Sequence, residues 1–472
     1  MPLRAEPGSY RDREGRVFYR DDRVFRTLSA AALAHWEALD GAGFFRRAMA
    51  DGRVVRTRRV ELPAEAPPAG AQPWVAALEH ERIPFVSYPY EWSFGMLRDA
   101  ALLQLGLLRE ALEEGFVLKD SSAYNLQWVG SRPIFIDVPS FERLAPGEPW
   151  VGYLQFCQLF LYPLLLTAHR DVPFQPLLRG ALDGVSPEVA ARLLSGADRF
   201  RRGVFTHVYL QSRLQAMTAG ANRSVKRELT ESGFHRELIL ANVRKLERLI
   251  ASLAWRRTTS TWVAYRESHG YSDEDHRAKR RFVDTAAAAA PRRLVWDLGA
   301  NTGDFSRVCR EHADYVIALD ADALAVERLY QELKREGERG ILPLVGNLVD
   351  PSPGLGWRGT ERKTLAERGR PDLVLALALL HHLVISANVP LDEVVDWLAS
   401  VGGDLVIEYV SKQDPMVARL LLNKEDRYAD YDLARLESAL ARHYSIVSRL
   451  ELGSGTRTLI HARRAGSGDG AG

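Results

Sequence analysis

Cysteine is nearly missing from this chain: there are two in 472 residues, Cys157 and Cys309, with no pairing pattern and no metal-ligand spacing. That excludes a disulfide-stapled scaffold and points to a reducing compartment, the cytoplasm. Lysine is scarce as well, eight against 55 arginines, a bias we read as composition rather than phosphate chemistry. Charge of one sign is also lacking: the net value is +2, so no basic field marks the chain for nucleic acid. The opening "MPLRAEPGSYRDREGR" has no apolar core and does not read as a signal peptide. Long apolar runs are absent with one exception, the twenty uncharged residues Pro149 to Ala168. Gln155, Gln158, Pro163 and the want of a flanking basic cluster predict a helix buried in a soluble core, with no membrane span.

What is present is ordinary for a soluble globular protein, 46% hydrophobic and 26% charged, and the length calls for two or three domains. The alanine run "DTAAAAAPRR", closed by a proline, marks a domain start near 286. Before it, Leu238, Ile239, Val243, Leu246, Ile250 and Leu253 recur at helical spacing, and 181–285 reads as a helical connector. Residues 1–180 mix short strands ("RVFYRDDRVFRTL", "GRVVRTRRVEL", "LQWV", "PIFID") with a helix over Met96 to Glu114, an α+β pattern. The domain 286–465 follows, and 466–472, "GSGDGAG", reads as a disordered tail.

The most informative stretch is "RRLVWDLGANTGDFS". A buried parallel strand ends at Asp297, breaks at Gly299 and Gly303, and passes into a helix. Glycines there let backbone approach a ligand closely and aim helix-terminal amides at it. The spacing is neither the dinucleotide fingerprint nor a phosphate loop, so a ligand without pyrophosphate is indicated. The next strand, "YVIALD", ends in Asp320, 23 residues after Asp297, where a carboxylate can accept both hydroxyls of a ribose. Asp297 itself either orders the turn or receives an ammonium group.

These parts resemble the class I S-adenosylmethionine-dependent methyltransferases. The resemblance continues through "ILPLVGNLVD", "PDLVLALALLHHL" and "GGDLVIEYV" as third, fourth and fifth strands and "YSIVSRLELGSGTRTLIHARR" as the terminal antiparallel hairpin. It implies a seven-stranded Rossmann-like α/β domain. It also implies that Gly299, Ala300, Asn301 and Gly303 line the methionine portion of the cofactor, Asp320 the ribose, and Asn347 with Leu348 the adenine, Asp350 being an alternative. The Asn/Asp-Pro-Pro-aromatic motif of base and amide methylation is missing after the fourth strand, and "LLHHL" resembles small-molecule methyltransferases instead. His381 or His382, at a strand's carboxyl end, could deprotonate a hydroxyl as the methyl transfers, and Glu408 is a second candidate for contacting the acceptor. Trp262, Tyr265 and Tyr271, just upstream, could cover the cofactor as a lid. No metal is required in this domain.

The N-terminal block carries "FVLKDSSAYNLQWVGSRPIFIDVPSFE". Asp120, Asn125 and Asp137 have the offsets that phosphoryl transfer uses, one acid to orient a hydroxyl and an amide with a second acid to hold Mg²⁺. The stretch resembles the catalytic and metal-binding loops of the protein-kinase-like and aminoglycoside-phosphotransferase fold, and so implies Mg-ATP as a ligand. It departs from that pattern: no lysine precedes Lys119, no glycine-rich phosphate loop is evident, and "VPSF" follows the metal acid. A degenerate kinase-like domain, an active kinase and an unrelated α+β domain all stay open.

The chain thus reads as a cytoplasmic methyltransferase acting on a hydroxyl, or similar nucleophile, of a small molecule or a sugar or lipid intermediate. A bifunctional methyltransferase-kinase and a non-catalytic S-adenosylmethionine-binding interaction protein are the alternatives. Oligomeric state leaves no trace in the sequence.

Overall fold

The computed structural model describes residues 4–64, 66, 73–213, 236–259, 272–422 and 425–465. The chain divides into two compact units. The first comprises Met1–Trp128, Pro133–Arg257 and Leu355–Arg362, the second Val129–Arg132, Thr258–Gly354 and Lys363–Gly472.

The first unit opens on an antiparallel sheet of five strands, β1 (Arg4–Ala5), β2 (Val17–Arg20), β3 (Arg23–Leu28), β4 (Thr57–Val60) and β5 (Ala76–His80), in the order β1-β2-β3-β5-β4. Phe18 and Phe25 face each other across the β2–β3 pair with their rings stacked at 5.3 Å. Helices α1 (Ala30–Asp40) and α2 (Gly43–Ala50) connect β3 to β4. Helix α3 (Phe94–Glu113) begins where the Ser93 hydroxyl accepts the Met96 amide, and it buries Leu97, Ala101, Leu105, Leu108 and Leu112 at helical spacing. After it come β6 (Phe116–Leu118), the hairpin strands β7 (Leu126–Val129) and β8 (Arg132–Phe135), and β9 (Phe141–Arg143).

The uncharged run at 149–168 folds as consecutive helical segments, Tyr153–Phe156, Cys157–Leu161 in π geometry, and Tyr162–Arg170, with most side chains buried. Among the described residues no helix is long and apolar enough to cross a membrane.

The stretch expected as a connector is divided between the units. Helix α4 (Arg236–Ala251) packs on α3 in the first unit because Ile239, Val243, Leu246 and Ile250 need a partner face. Leu238, placed on that face by spacing, points outward and is 56% exposed. Helix α5 (Asp273–Ala288) belongs to the second unit.

That unit is built on a seven-stranded sheet. Its strands are β10 (Arg292–Leu298), β11 (Ala313–Asp320), β12 (Ile341–Val345), β13 (Leu373–Ala376), β14 (Asp404–Val410), β15 (Tyr444–Glu451) and β16 (Arg457–Arg464). They lie in the order β12-β11-β10-β13-β14-β16-β15, all parallel except β16, which runs antiparallel to both neighbours. Helices α6 (Asp304–Arg310), α7 (Ala323–Glu336), α8 (Leu391–Val401) and α9 (Leu433–Ala441) link the strands. The order reverses between β10 and β13, so the carboxyl ends of these two strands open a crevice of the kind in which such sheets bind ligands.

Candidate cofactor and acceptor site

A cavity of about 540 Å³ lies at that crevice. Asp297, Gly299, Ala300, Asn301, Asp320, Asn347 and Leu348 all line it, whereas Gly303, which turns toward Leu329, and Asp350 do not.

The turn after β10 has the geometry its glycines promise. Gly299 and Gly303 both sit at φ +78°, and a Cβ on Gly303 would stand 2.7 Å from Leu329 Cδ1. The amides of Gly299 and Ala300, however, donate to the Leu319 carbonyl at 2.8 and 3.0 Å. They tie the turn to β11 rather than aim at a ligand, so what the turn offers is close approach. Asn301, also left-handed at φ +50°, has its Oδ1 buried with no hydrogen-bond partner among the described residues. A turn held at positive φ by its glycines and an orphaned acceptor on the cavity wall fit a bound nucleoside carrying donors.

Asp320 is held by two backbone amides, Asn301 N–H to Oδ2 at 2.7 Å and Asp322 N–H to Oδ1 at 2.8 Å. Each oxygen keeps a lone pair, which leaves room for two ribose hydroxyls. Burial raises its pKa, and the amides oppose that. Asn347, exposed on the opposite wall, spends its Oδ1 on the Val349 amide at 3.0 Å, closing an Asx turn.

Asp297 is 2% exposed and accepts the Ser306 hydroxyl at 2.6 Å, which fixes the start of α6. Burial pushes its carboxyl up to about 6.

The two histidines separate. His382 lines the cavity, and burial lowers its imidazole to about 4. His381 is fully buried and absent from the lining, with neither ring nitrogen bonded among the described residues. Their ring centroids nevertheless lie only 4.0 Å apart, so His381 packs directly on His382 from behind the lining. Ala378, between β13 and these histidines, holds a strained φ of +49° on the cavity wall.

Glu408 does not reach the acceptor face. It is fully buried, its Oε2 2.6 Å from Lys279 Nζ and its Oε1 3.4 Å from Arg457 Nη1. Arg457 is held in turn by Asp414, Nε to Oδ2 at 2.8 Å. Sequence reading missed this set. Lys279 and Arg457 line the cavity, but Lys279 sits inside a basic helix start and meets Glu408 only through the fold. His276, also on the wall and 3.9 Å from Asp304, was passed over for the same reason. Trp262, Tyr265 and Tyr271 lie outside the described residues.

In the first unit Asp120, Asn125 and Asp137 line a single cavity of about 370 Å³. Asp137 is engaged on both sides, by Arg26 Nη2 at 2.9 Å and by the Ser140 hydroxyl, and Ser140 also receives Asn125 Nδ2 at 3.3 Å. Burial, with Asp137 adding to it, raises the pKa of Asp120.

The parallel sheet with its terminal antiparallel hairpin, the glycine turn at the reversal of strand order and the acid one strand on are the arrangement that the resemblance to class I S-adenosylmethionine-dependent methyltransferases implies. No family model matches the chain. It is 34% identical over 460 residues, 97% of its own length and 96% of the other's, to nodulation protein NoeA of Rhizobium meliloti (strain 1021), and it belongs to the NoeA family. Among solved structures, N-methyltransferase NodS from Bradyrhizobium japonicum WM9 is 14% identical with a TM-score of 0.31, covering 41% of this chain and 98% of that one. Magnesium protoporphyrin IX methyltransferase (ChlM) from Synechocystis PCC 6803, with S-adenosylhomocysteine bound, is 17% identical with a TM-score of 0.31, covering 43% and 94%.

Proposed function

We propose that the second unit transfers a methyl group, in the cytoplasm, to a hydroxyl or similar nucleophile of a small molecule or a sugar- or lipid-linked biosynthetic intermediate. The observation that carries this reading is a neutral imidazole, His382, on the wall of the cavity that holds the glycine turn and Asp320. When bound, S-adenosylmethionine supplies a methyl activated by its sulfonium. The chain's share is then to hold the nucleophile in line and take up its proton. At about 4, His382 is uncharged across the physiological range, the protonation state a general base needs. An imidazole this weak takes the proton late, as the attacking oxygen becomes an acidic oxonium. Leu377, Leu379 and Leu383, on the same wall, keep water from competing.

On an identified acceptor, His382→Ala lowers turnover by about a hundredfold and leaves affinity for S-adenosylhomocysteine within a factor of two. His381→Ala, off the lining but removing the ring that packs on His382, lowers stability more than turnover. Full activity in the His382 variant would remove it as the base.

A second reading is favoured by the convergence of Asp120, Asn125 and Asp137 on one cavity. We read the first unit as kinase-like: a five-stranded antiparallel sheet, a long helix, then a loop with acid and amide, a hairpin, and the second acid. Phosphoryl transfer of that type also uses a lysine on the third strand. Here β3 supplies Arg26, which lines the cavity and already binds Asp137. Mg²⁺ must therefore compete with a resident guanidinium, which favours a binding domain over an active kinase. Mg-ATP binding that is lost in Asp137→Ala supports this reading, and no nucleotide binding by the wild type ends it.

A further inference from the structure

Resting on the kinase-like reading of the first unit, we infer that the Arg26 guanidinium takes the place of the divalent cation in that unit's cavity, bridging Asp12 and Asp137. The first unit is then a binding domain that takes its ligand without a metal ion, and its acids become a divalent-cation site only when the guanidinium is removed.

The two acids reach the cavity from different parts of the unit, Asp12 from the loop between β1 and β2 and Asp137 from just past β8. Arg26 projects from β3 between them, with Nη1 3.2 Å from Asp12 Oδ2 and Nη2 2.9 Å from Asp137 Oδ1. The other oxygen of each acid is spent on its own chain: Asp12 Oδ1 accepts the Glu14 amide at 2.9 Å, and Asp137 Oδ2 accepts the Ser140 hydroxyl. A hard dication such as Mg²⁺ needs carboxylate oxygens turned toward it. Here they are turned toward a guanidinium, and a dication brought beside it meets like charge. The bridge is not a solvated surface pair, since Arg26 is 15% and Asp137 24% exposed at the side chain.

The position is shaped for the arginine. Gly15 is buried against β3, and a Cβ there would stand 2.6 Å from the Thr27 carbonyl oxygen and 3.3 Å from both Arg26 Cγ and Asp12 Oδ2. A side chain at that position would push the loop off the strand and part Asp12 from Arg26. Arg16 fixes the same register, its amide donating to Thr27 Oγ1 and its carbonyl accepting the Thr27 amide, each at 2.9 Å. The other cations of the lining are drawn elsewhere, Lys119 toward Glu142 at 3.7 Å and Arg11 onto Glu361 at 2.7 Å, and neither of those acids lines the cavity. Among the described residues Arg26 is thus the one cation shared by two acids of the lining.

The test titrates Mn²⁺ alone, in place of Mg²⁺, into the full chain and follows the free ion by electron paramagnetic resonance. Wild type, Asp137→Asn and Arg26→Gln/Asp137→Asn should share one weak background. Arg26→Gln, which leaves a neutral amide beside the acids, should bind an ion at least about tenfold more tightly. Equal titrations of wild type and Arg26→Gln would overturn the inference, as would a gain that survives Asp137→Asn. Tight binding by wild type that is lost in Asp137→Asn would overturn it too. Should circular dichroism show Arg26→Gln unfolded, Arg26→Lys replaces it: a single ammonium nitrogen spans the two acids poorly, so a gain of at least about threefold is expected, and no gain overturns the inference. Mg-ATP titrated in parallel separates the two claims. No nucleotide binding by wild type ends the kinase-like reading, while the Mn²⁺ comparison still decides the role of Arg26.

Discussion

Gly303 carries a strict steric demand in the turn after β10. Its φ of +78° is one that a side chain adopts only at a cost of about 1 kcal/mol or more. An added Cβ would also press on Leu329 of α7, in the core beneath. Gly303→Ala is therefore expected to weaken S-adenosylhomocysteine at least tenfold and to lower the unfolding temperature, measured by calorimetry and by circular dichroism. A variant that binds and melts like wild type would contradict the strain argument. Residues of this kind were legible in the sequence because their placement is local: the turn's glycines, Asp297 and Asp320 advertise themselves by spacing along two consecutive strands. Lys279 was not legible. Its partner Glu408 is 129 residues away, and nothing in a basic helix start tells a solvated lysine from one that the sheet will bury. Glu408 was misplaced by the same blindness, since the end of a strand looks exposed until a helix and a neighbouring strand are known to cover it.

Among the elements, α5 bears most on the site. It is tied down at two points. Asp275 accepts the amides of Gly453 and Ser454 at 2.7 and 3.3 Å, in the turn between β15 and β16, and Lys279 pairs with Glu408 on β14. The same helix presents Asp273, His276 and Lys279 to the cavity, so its anchoring and the shape of the site are one problem. Removing the acid takes the carboxylate from the buried Lys279 ammonium, while Arg457 keeps Asp414, and breaking such a buried pair typically costs about 3–5 kcal/mol. Glu408→Ala should accordingly show a large loss of stability in urea, with cofactor affinity falling alongside. Unchanged stability would mean that Glu408 is not the keystone of this network. Element existence followed well from periodicity, as the α3 helix and the strand series show. Facing was less secure: Leu238 shares the spacing of α4's buried residues yet lies outside, because a helix packed on one neighbour buries a narrower stripe than spacing alone suggests. The π geometry at Cys157–Leu161 has no local signature and comes from packing.

For the molecule as a whole, buried histidines set the response to acid. His80 is held at about 3, His207 and His382 at about 4, and His381 well below the usual imidazole range, burial being the main cause in each case. In the unfolded chain these groups take up protons near 6.5, so between that pH and about 4 the unfolded state binds protons that the folded state refuses. Stability is then fully present above 6.5 and is lost as pH falls, at about 1.4 kcal/mol per pH unit for each such proton. Asp297, raised to about 6, works in the opposite direction with a single proton and does not outweigh them. The unfolding temperature should therefore drop steeply from pH 7 to pH 5, and a flat profile would contradict the burial of these rings.

The central claim is that the second unit holds S-adenosylmethionine by the cradle after β10 and the acid that ends β11. Titration of S-adenosylhomocysteine into wild type and Asp320→Ala, followed by calorimetry, tests it most directly. The account predicts saturable binding by the wild type and binding at least about thirtyfold weaker in the variant, whose ribose hydroxyls lose their acceptor. No binding by well-folded wild type, or equal binding by both, would contradict it.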